Sequence, residues 1–218
     1  MHFQILVEDL SGAKAIEILL PKILGPNHTF QISKYSGIGH LPPGLKPGQD
    51  AGTHMLLNQL PKLIQGFGRT FAGYPDNYPA IVVVICDLDT KCLKEFRKEL
   101  DDLLHRCSPR PETRFCIAIE EGEAWLLGDI PAIKMAYPKA KTSILQQYEN
   151  DSICGTWELL ANAVYPGGAL ELSKKGAGAI GMAKYKWAEE VCPYMNQDNN
   201  ASPSFNYFRT TIQKLAVS

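Results

Sequence analysis

Two aspartates, Asp87 and Asp89, follow directly on an apolar, β-branched run over residues 81–85. A run of this length and composition predicts a strand that is buried on both faces. The aspartates would then stand at the carboxyl end of the strand, where open parallel α/β sheets place their ligand crevices. Two residues apart on an extended chain, they point to the same side and repel unless a cation or proton lies between them. The pattern predicts a divalent-metal site.

Acidic residues close three predicted strands, and each group follows its strand directly. The groups are Glu8-Asp9 after residues 3–7, Asp87 and Asp89 after residues 81–85, and Glu120, Glu121 and Glu123 after residues 114–119. Because parallel strands end at one edge of a sheet, the three groups are expected to converge there. Unneutralised carboxylates that close together cost several kcal/mol in total. Their oxygens suit Mg²⁺ or Mn²⁺ bound through a few carboxylates plus water.

Helix capping is the alternative explanation for each acidic group taken alone. Asp9 or Ser11 would cap the first helix, and Asp89 or Thr90 the third. Glu120 would complement a helix dipole. Three groups on one edge favour the metal site instead. Since a metal ion polarises phosphate and generates hydroxide, the chemistry expected there is phosphoryl transfer or phosphodiester cleavage.

The elements that must position these residues alternate in type along the first two thirds of the chain. Strands are predicted over residues 3–7, 28–35, 81–85 and 114–119, with helices over 11–24, 53–64, 93–105 and 124–127. A kink or early end is expected at Pro21 in the first helix, and Gly66 and Gly68 are expected to end the second. This order predicts an α/β fold with a mostly parallel four-stranded sheet and helices on both faces.

The strand signal disappears beyond about residue 137. Further helices are predicted over residues 156–164, 178–191 and 204–215, separated by Gly- and Pro-rich breaks. We therefore expect an α/β core over residues 1–137 and a helical C-terminal extension over residues 138–218. The extension is expected to pack on the core, so that the chain forms one compact unit.

Composition narrows the functional classes. The 218 residues carry a formal net charge of -1, so no global basic surface favours nucleic acid, although a bound Mg²⁺ would supply local positive charge. No apolar stretch approaches the roughly 18 residues that span a membrane, and the first apolar segment is too short for a signal peptide. We expect a cytoplasmic protein without membrane contact. Its six cysteines form no CxxC pair and are expected to be reduced packing residues.

Two lysines, Lys174 and Lys175, precede a Gly-x-Gly-x-x-Gly pattern over residues 176–181. A dinucleotide site should follow a strong strand and begin a βαβ unit, which this segment does not, so no such cofactor is expected. The lysines are a candidate for phosphate binding at a helix start, with a flexible turn as the alternative. Trp125 is expected to anchor the core, with base stacking as the alternative.

Four sequence blocks together resemble a known family. They are Val7-Glu8-Asp9-Leu10-Ser11, Asp87-Leu88-Asp89, Glu121-Gly122-Glu123-Ala124-Trp125-Leu126-Leu127-Gly128-Asp129 and Asn200-Ala201-Ser202-Pro203-Ser204-Phe205. The first two are similar to the glutamate and the Asp-x-Asp pair of TOPRIM domains. The whole set, which spans residues 8–208, resembles a TOPRIM-like family of small prokaryotic proteins of unknown function. That family is related to the TOPRIM domains of overcoming-lysogenization-defect nucleases.

The resemblance implies a TOPRIM-like, Rossmann-like core and a Mg²⁺- or Mn²⁺-dependent nuclease or related phosphotransfer enzyme. Glu8, Asp87 and Asp89 would be its catalytic residues and metal ligands, with Glu8 as a ligand or general base. Glu121 and Glu123 would be ligands of a second metal or partners of the first set. The resemblance also implies a nucleic-acid substrate, DNA or RNA, and an ABC-type ATPase partner in phage defence.

One loop departs from the family pattern. Relatives carry a lysine beside glycine after the second strand, where this chain has Gly37-Ile38-Gly39-His40, and Lys34 or His40 would have to substitute. One alternative function is therefore a non-catalytic TOPRIM-like subunit that docks to an ATPase. Another is a phosphatase of the haloacid-dehalogenase type, in which Asp87 attacks phosphate and Asp89 is the acid. That superfamily has this motif near the N-terminus, not in mid-chain.

Overall fold

The computed structural model describes residues 1–45, 54–153 and 155–217. Four strands form one sheet: β1 (His2–Val7), β2 (Thr29–Lys34), β3 (Ala80–Asp87) and β4 (Thr113–Ala118). They lie in the order β2-β1-β3-β4, and all three neighbouring pairs are parallel. The predicted α/β class with a four-stranded sheet is confirmed, and the sheet is parallel throughout.

Ten α-helices and one 3₁₀ turn occupy the described part of the chain. They are α1 (Leu10–Leu24), α2 (Leu56–Phe71), α3 (Leu93–Arg106), α4 (Glu123–Leu127), α5 (Ile130–Ala136), α6 (Thr142–Leu145), α7 (Thr156–Val164), α8 (Gly168–Ser173), α9 (Ala177–Val191), the 3₁₀ turn (Cys192–Tyr194) and α10 (Pro203–Ala216). The short helices α6 and α8 were not predicted. Four and six residues long, they carry too little periodicity to be distinguished from loops.

Helix α1 ends at Leu24 as predicted and does not end early at Pro21. The predicted end of α2 is wrong, because this helix continues through Gly66 and Gly68 to Phe71. Gly68 lies against the backbone of Pro109, so a Cβ there would lie 2.8 Å from the Pro109 carbonyl carbon. Close packing, rather than a helix end, explains that glycine. The expected start of α2 at Thr53 lies outside the described residues.

The sheet separates two hydrophobic cores, and β3 contributes to both. Ile81, Val83 and Ile85 face the core that includes α1, α9 and α10. Val82 and Val84, on the alternate positions, face the core that includes α2 and α3. The continuous apolar run of β3 is therefore explained by burial on both faces, as expected for a central parallel strand.

The C-terminal helices pack on one side of this sheet. Helix α9 lies along α1, and α10 contacts both α1 and β4. Trp187, Ala188 and Val191 bury one face of α9. Consequently, the residues that α9 carries on this face are held next to the carboxyl ends of the strands.

The strand order reverses between β1 and β3. The chain passes from β1 through α1 to β2 on one side, and then returns through α2 to β3 on the other side of β1. In open parallel sheets this switch point leaves a crevice at the carboxyl ends of the two strands. Glu8 follows β1 directly and Asp87 is the last residue of β3, so both flank the crevice.

The remaining general expectations concern cysteines and membranes. The described cysteines are all free: Cys86, Cys107, Cys116 and Cys192 are buried, and Cys92 is exposed. The sixth, Cys154, lies outside the described residues. Across residues 1–45, 54–153 and 155–217, no helix has the length and apolar character needed to cross a bilayer.

Candidate acidic site

Glu8 and Asp87 are adjacent across the β1–β3 pair. The backbone N–H of Asp87 donates a hydrogen bond to Glu8 Oε2 at 2.9 Å. Both residues line a cavity of about 40 Å³, together with Asp9 and Glu123. A single water needs roughly 10–15 Å³ of cavity volume. The cavity therefore holds an ion or a few waters but no nucleotide.

The two carboxyl groups of this pair are difficult to ionise together. Burial, followed by the charges of Asp89 and Asp9, raises the pKa of Glu8 to about 7. Burial and the charge of Glu8 raise the pKa of Asp87 well above its ordinary value. Lys184 and the Asp87 N–H oppose these effects without cancelling them. A proton or a cation shared between Glu8 and Asp87 would therefore stabilise the pair.

The predicted convergence of the Glu121–Glu123 block with Asp87 is observed. Gly122 lies over the Asp87 carboxylate, and a Cβ on it would lie 3.9 Å from Asp87 Oδ1. Glu123 lines the acidic cavity and is only 3% exposed. Burial raises the pKa of both glutamates, that of Glu121 to about 7. The block that follows β4 thus adds the Glu123 carboxylate to the cavity beside the Glu8–Asp87 pair.

Lys184 of α9 is the positive charge of this site, and it was not predicted. Its Nζ lies 3.0 Å from Glu123 Oε2 and 3.3 Å from Glu121 Oε1. Burial lowers the pKa of this lysine, but Glu123, Glu121 and Asp87 together raise it above its ordinary value. Lys184 lies three residues before Trp187 on the buried face of α9. The sequence signal that could have indicated its inward position is its spacing, three residues before Trp187 on a predicted helix.

Lys184 does not neutralise the whole site. In the described part of the chain, Glu8 and Asp87 form no ion pair with a lysine, arginine or histidine closer than 4 Å. Glu121 Oε2 is buried and accepts no hydrogen bond from any described residue, and the same holds for Glu158 Oε2 on α7. The charge of Glu158 contributes to the raised pKa of Glu121. Glu158 is thus a second residue of this neighbourhood that was not predicted.

Asp9 serves the first helix. Its carboxylate accepts hydrogen bonds from Gly12 N and Ser11 Oγ, each at 2.7 Å, and caps α1. The capping alternative is therefore confirmed for Asp9. Because one oxygen binds the helix N-terminus and the other the serine, Asp9 contributes to the cavity chiefly through its charge.

Asp89 differs from its predicted placement. Strand β3 ends at Asp87, and Asp89 adopts a left-handed backbone conformation with φ 52°, so strand alternation does not extend to it. Its carboxylate pairs with Lys91 at 3.3 Å and is not among the groups that line the cavity. The capping alternative is wrong as well, since Cys92 precedes α3 without a side-chain cap. Asp89 still acts on the site, because its charge raises the pKa of Glu8.

Glu120 has a structural role at a distance. Its carboxylate accepts hydrogen bonds from Gly155 N and Thr156 N, each at 2.9 Å, and from Thr156 Oγ1, which satisfies the start of α7. Its backbone is left-handed with φ 60°, and its carbonyl accepts a bond from Asp89 N at 2.9 Å. These contacts hold two strained positions at the strand ends in place. The expectation that Glu120 complements a helix terminus is met at α7.

The loop that departs from the family pattern lies beside Glu8. Gly37 N donates to Glu8 O at 2.9 Å, and Gly37 O accepts from Leu56 N at the start of α2. The two candidate substitutes for the missing lysine do not line the acidic cavity: His40 is exposed, and Lys34 lines an open groove beside β2. The cation at the site comes instead from Lys184.

The lysine pair before α9 lies on the surface. Lys174 pairs with Glu171, and Lys175 Nζ donates to the Tyr165 hydroxyl at 2.9 Å. Neither lysine lines the acidic cavity. Phosphate binding at this helix start stays a prediction.

The remaining motif residues form a buried junction, which we call the motif junction: Trp125, Gly128 and Asp129 packed against residues 200–205. Trp125 Nε1 donates to Ser204 Oγ at 3.0 Å, and Asn200 Nδ2 donates to Trp125 O at 2.8 Å. Trp125 is 4% exposed and stacks on Phe208 with ring centroids 5.0 Å apart. The core role of this tryptophan is confirmed, and its burial excludes base stacking.

A metal ion fits this site by its donor chemistry more than by a preformed cage. Within the described ranges, no three His, Cys, Asp or Glu side chains are arranged to hold a metal ion. Mg²⁺, however, commonly uses one or two carboxylates plus waters and substrate phosphate. Glu8 and Asp87, which line the cavity together, meet that smaller requirement. Comparison of the chain with family models, curated proteins and solved structures finds no match.

Proposed function

We propose that the chain is a Mg²⁺- or Mn²⁺-dependent phosphodiesterase that cleaves nucleic acid. The observation that carries this proposal is the Glu8–Asp87 pair, which is adjacent, lines a small cavity and has no described cationic partner within 4 Å. Such a pair is stable near neutral pH only when a proton or a cation is shared. Its place at the switch point is where open α/β sheets bind ligands.

The carboxylates would divide the work by position. Glu8 and Asp87 would hold the ion, and Asp89, more exposed and next to β3, would complete the set when Lys91 releases it. Bound there, the ion would polarise a phosphate and lower the pKa of a coordinated water.

Cavity size limits how a substrate would approach. About 40 Å³ admits an ion and a few waters but not a nucleotide. A phosphodiester would therefore meet the ion at the mouth of the cavity, with its bases outside. Recognition of DNA or RNA would then depend on residues around the mouth and on the proposed ABC-type ATPase partner in phage defence.

A non-catalytic subunit is the second candidate. Lys184 already occupies the Glu121–Glu123 side of the site, and residues 37–40 carry no lysine. Both observations favour a module in which the acidic site is structural and the protein acts by docking to an ATPase. The two candidates differ in whether the wild-type protein cleaves nucleic acid.

Cleavage assays with single variants test the proposal. DNA and RNA, single- and double-stranded, are incubated with the purified protein and Mn²⁺, then with Mg²⁺. Asp87→Ala is expected to abolish cleavage and Asp89→Ala to reduce it strongly. Asp101→Ala, an exposed aspartate on α3, is the matched control and should cleave as the wild type does. Undiminished cleavage by an Asp87→Ala/Asp89→Ala double variant that remains folded would refute the assignment.

A further inference from the structure

Lys184 is placed too deep in the acidic site to be an ordinary surface ion pair. Its side chain is 13% exposed, and that of its partner Glu123 is 4% exposed. It contacts two glutamates at once, at 3.0 and 3.3 Å. Burying an ammonium group is costly unless the surrounding carboxylates compensate. Glu121 and Glu123 provide this compensation, and the ammonium group in turn stabilises their buried charges.

The packing of helix α9 keeps Lys184 in the acidic site. Helix α9 spans Ala177–Val191 and packs along α1, and Trp187 and Ala188 are buried on the face that carries the lysine. Residues three and four apart share a helix face, so these two anchors fix the direction of the Lys184 side chain. The cation is therefore tethered to the fold.

The charges of the site limit how many further cations it accepts. Ionised, Glu8, Asp87, Glu121 and Glu123 carry four negative charges. Lys184 and one divalent ion together supply three positive charges, one fewer than these four carboxylates carry. A second divalent ion would bring the positive charge to five, one more than the four carboxylates carry, and would place a dication beside the ammonium group, a repulsive arrangement.

We infer that Lys184 is a positioning residue that takes the place of a second metal ion, so that the site binds one divalent cation on its Glu8–Asp87 side. The inference rests on the proposed function for the first ion. It reassigns Glu121 and Glu123, predicted as ligands of a second metal, to the ammonium group of Lys184. Their oxygens would become metal ligands only after that group is removed.

Counting bound Mn²⁺ tests this inference directly. Calorimetric titration, with the bound Mn²⁺ checked by electron paramagnetic resonance, should give one ion for the wild type. Lys184→Met keeps most of the side-chain volume without the charge and should bind two ions. Lys184→Arg should retain one. Lys186→Met, an exposed lysine on the same helix, is the matched control and should also bind one.

A further substitution locates the second ion. Adding Glu123→Gln to Lys184→Met should return the count from two to one, because it removes a ligand of the new site. Thermal unfolding supplies a second readout: Mn²⁺ should raise the melting temperature of Lys184→Met by more than that of the wild type. A lysine with a purely structural role would leave both the count and this difference unchanged.

Each outcome decides a separate claim. One ion in both the wild type and Lys184→Met would overturn the inference and leave the proposed function intact. No ion in the wild type but one in Lys184→Met would overturn the proposed metal-dependent function and the single wild-type ion of the inference, and would show that Lys184 excludes metal from the whole site. Two ions in the wild type would overturn the inference. This measurement needs no variant, so it applies even if Lys184→Met does not fold. No ion in either protein would overturn both.

Discussion

The motif junction and the acidic site are both built from buried polar groups, and they differ in how these groups are satisfied. In the junction, Asn200 binds Trp125 O and Ser202 N, and Asp129 binds Ala132 N and Asn196 N. In the acidic site, one lysine pairs with only two of four buried or half-buried carboxylates. A satisfied network stabilises the fold, whereas an incomplete one is typical of a site that awaits a ligand.

This contrast divides the blocks that carry the family resemblance. Residues 125–129 and 200–205 form the junction between the core and the C-terminal helices. Glu8, Asp87 and the Glu121–Glu123 block form the acidic site. The second set is where chemistry is proposed. Measurements that separate stability from metal binding should therefore separate the two regions.

Truncation in the motif junction should have the largest effect on stability. Trp125→Ala removes a buried ring stacked on Phe208 and leaves the Ser204 hydroxyl without its donor. A loss of about 3–5 kcal/mol in the free energy of unfolding is expected, measured by urea denaturation. Trp125 lines the acidic cavity but supplies no oxygen ligand, so the remaining folded fraction should still bind Mn²⁺. A loss below about 1 kcal/mol would show that the junction is not the stabilising region.

Removal of the Lys184 charge should cause the next largest loss of stability. Lys184→Met leaves Glu121 and Glu123 buried without their counter-ion and should cost about 3 kcal/mol without metal. Glu123→Gln in the same chain should restore part of this loss, since it removes one of the two uncompensated charges. A double-mutant cycle by chemical denaturation measures the coupling. Strict additivity of the two losses would contradict the ion-pair assignment.

Neutralising Asp87 should increase the free energy of unfolding, whereas the two preceding variants should decrease it. Without metal at pH 8, Asp87→Asn removes one of two carboxylates that repel each other and should stabilise the protein by about 1–2 kcal/mol. The matched variant Asp101→Asn changes an exposed aspartate of α3 and should have almost no effect. Destabilisation by Asp87→Asn would instead assign this aspartate a structural role like that of Asp9.

The pH dependence of stability should follow from the raised pKa of Glu8 and Glu121. The pKa of Glu8 and of Glu121 is about 7 in the folded chain, against an ordinary value of 4.5. Between pH 4.5 and 7 the folded chain keeps protons that the unfolded chain releases, so the free energy of unfolding falls as pH rises through this window.

Thermal unfolding at constant ionic strength measures this slope. Without metal, the melting temperature should decline between pH 4.5 and 7, and Glu8→Gln should flatten the decline. With saturating Mn²⁺ the decline should be smaller, because the ion replaces the protons. A melting temperature of the metal-free protein that rises across this window would contradict the raised pKa values.

The sequence predicts the fold better than it predicts the site. The apolar run of β3, the helix periods and the cap at Asp9 are local patterns, and they place Glu8 and Asp87 correctly at the strand ends. Lys184 lies almost a hundred residues after Asp87 in the sequence, so only the packing of α9 on α1 brings it to the carboxylates. The left-handed backbone at Asp89 depends on a bond to Glu120 O, which no local pattern indicates.

Titration of Mn²⁺ into the wild type and Asp87→Asn at pH 8 tests the central claim most directly. The account predicts binding of one ion by the wild type and loss of that binding in Asp87→Asn, although this variant is the more stable protein without metal. Asp101→Asn should bind as the wild type does. Equal Mn²⁺ affinity in the wild type and Asp87→Asn would contradict a metal site at the switch point between β1 and β3.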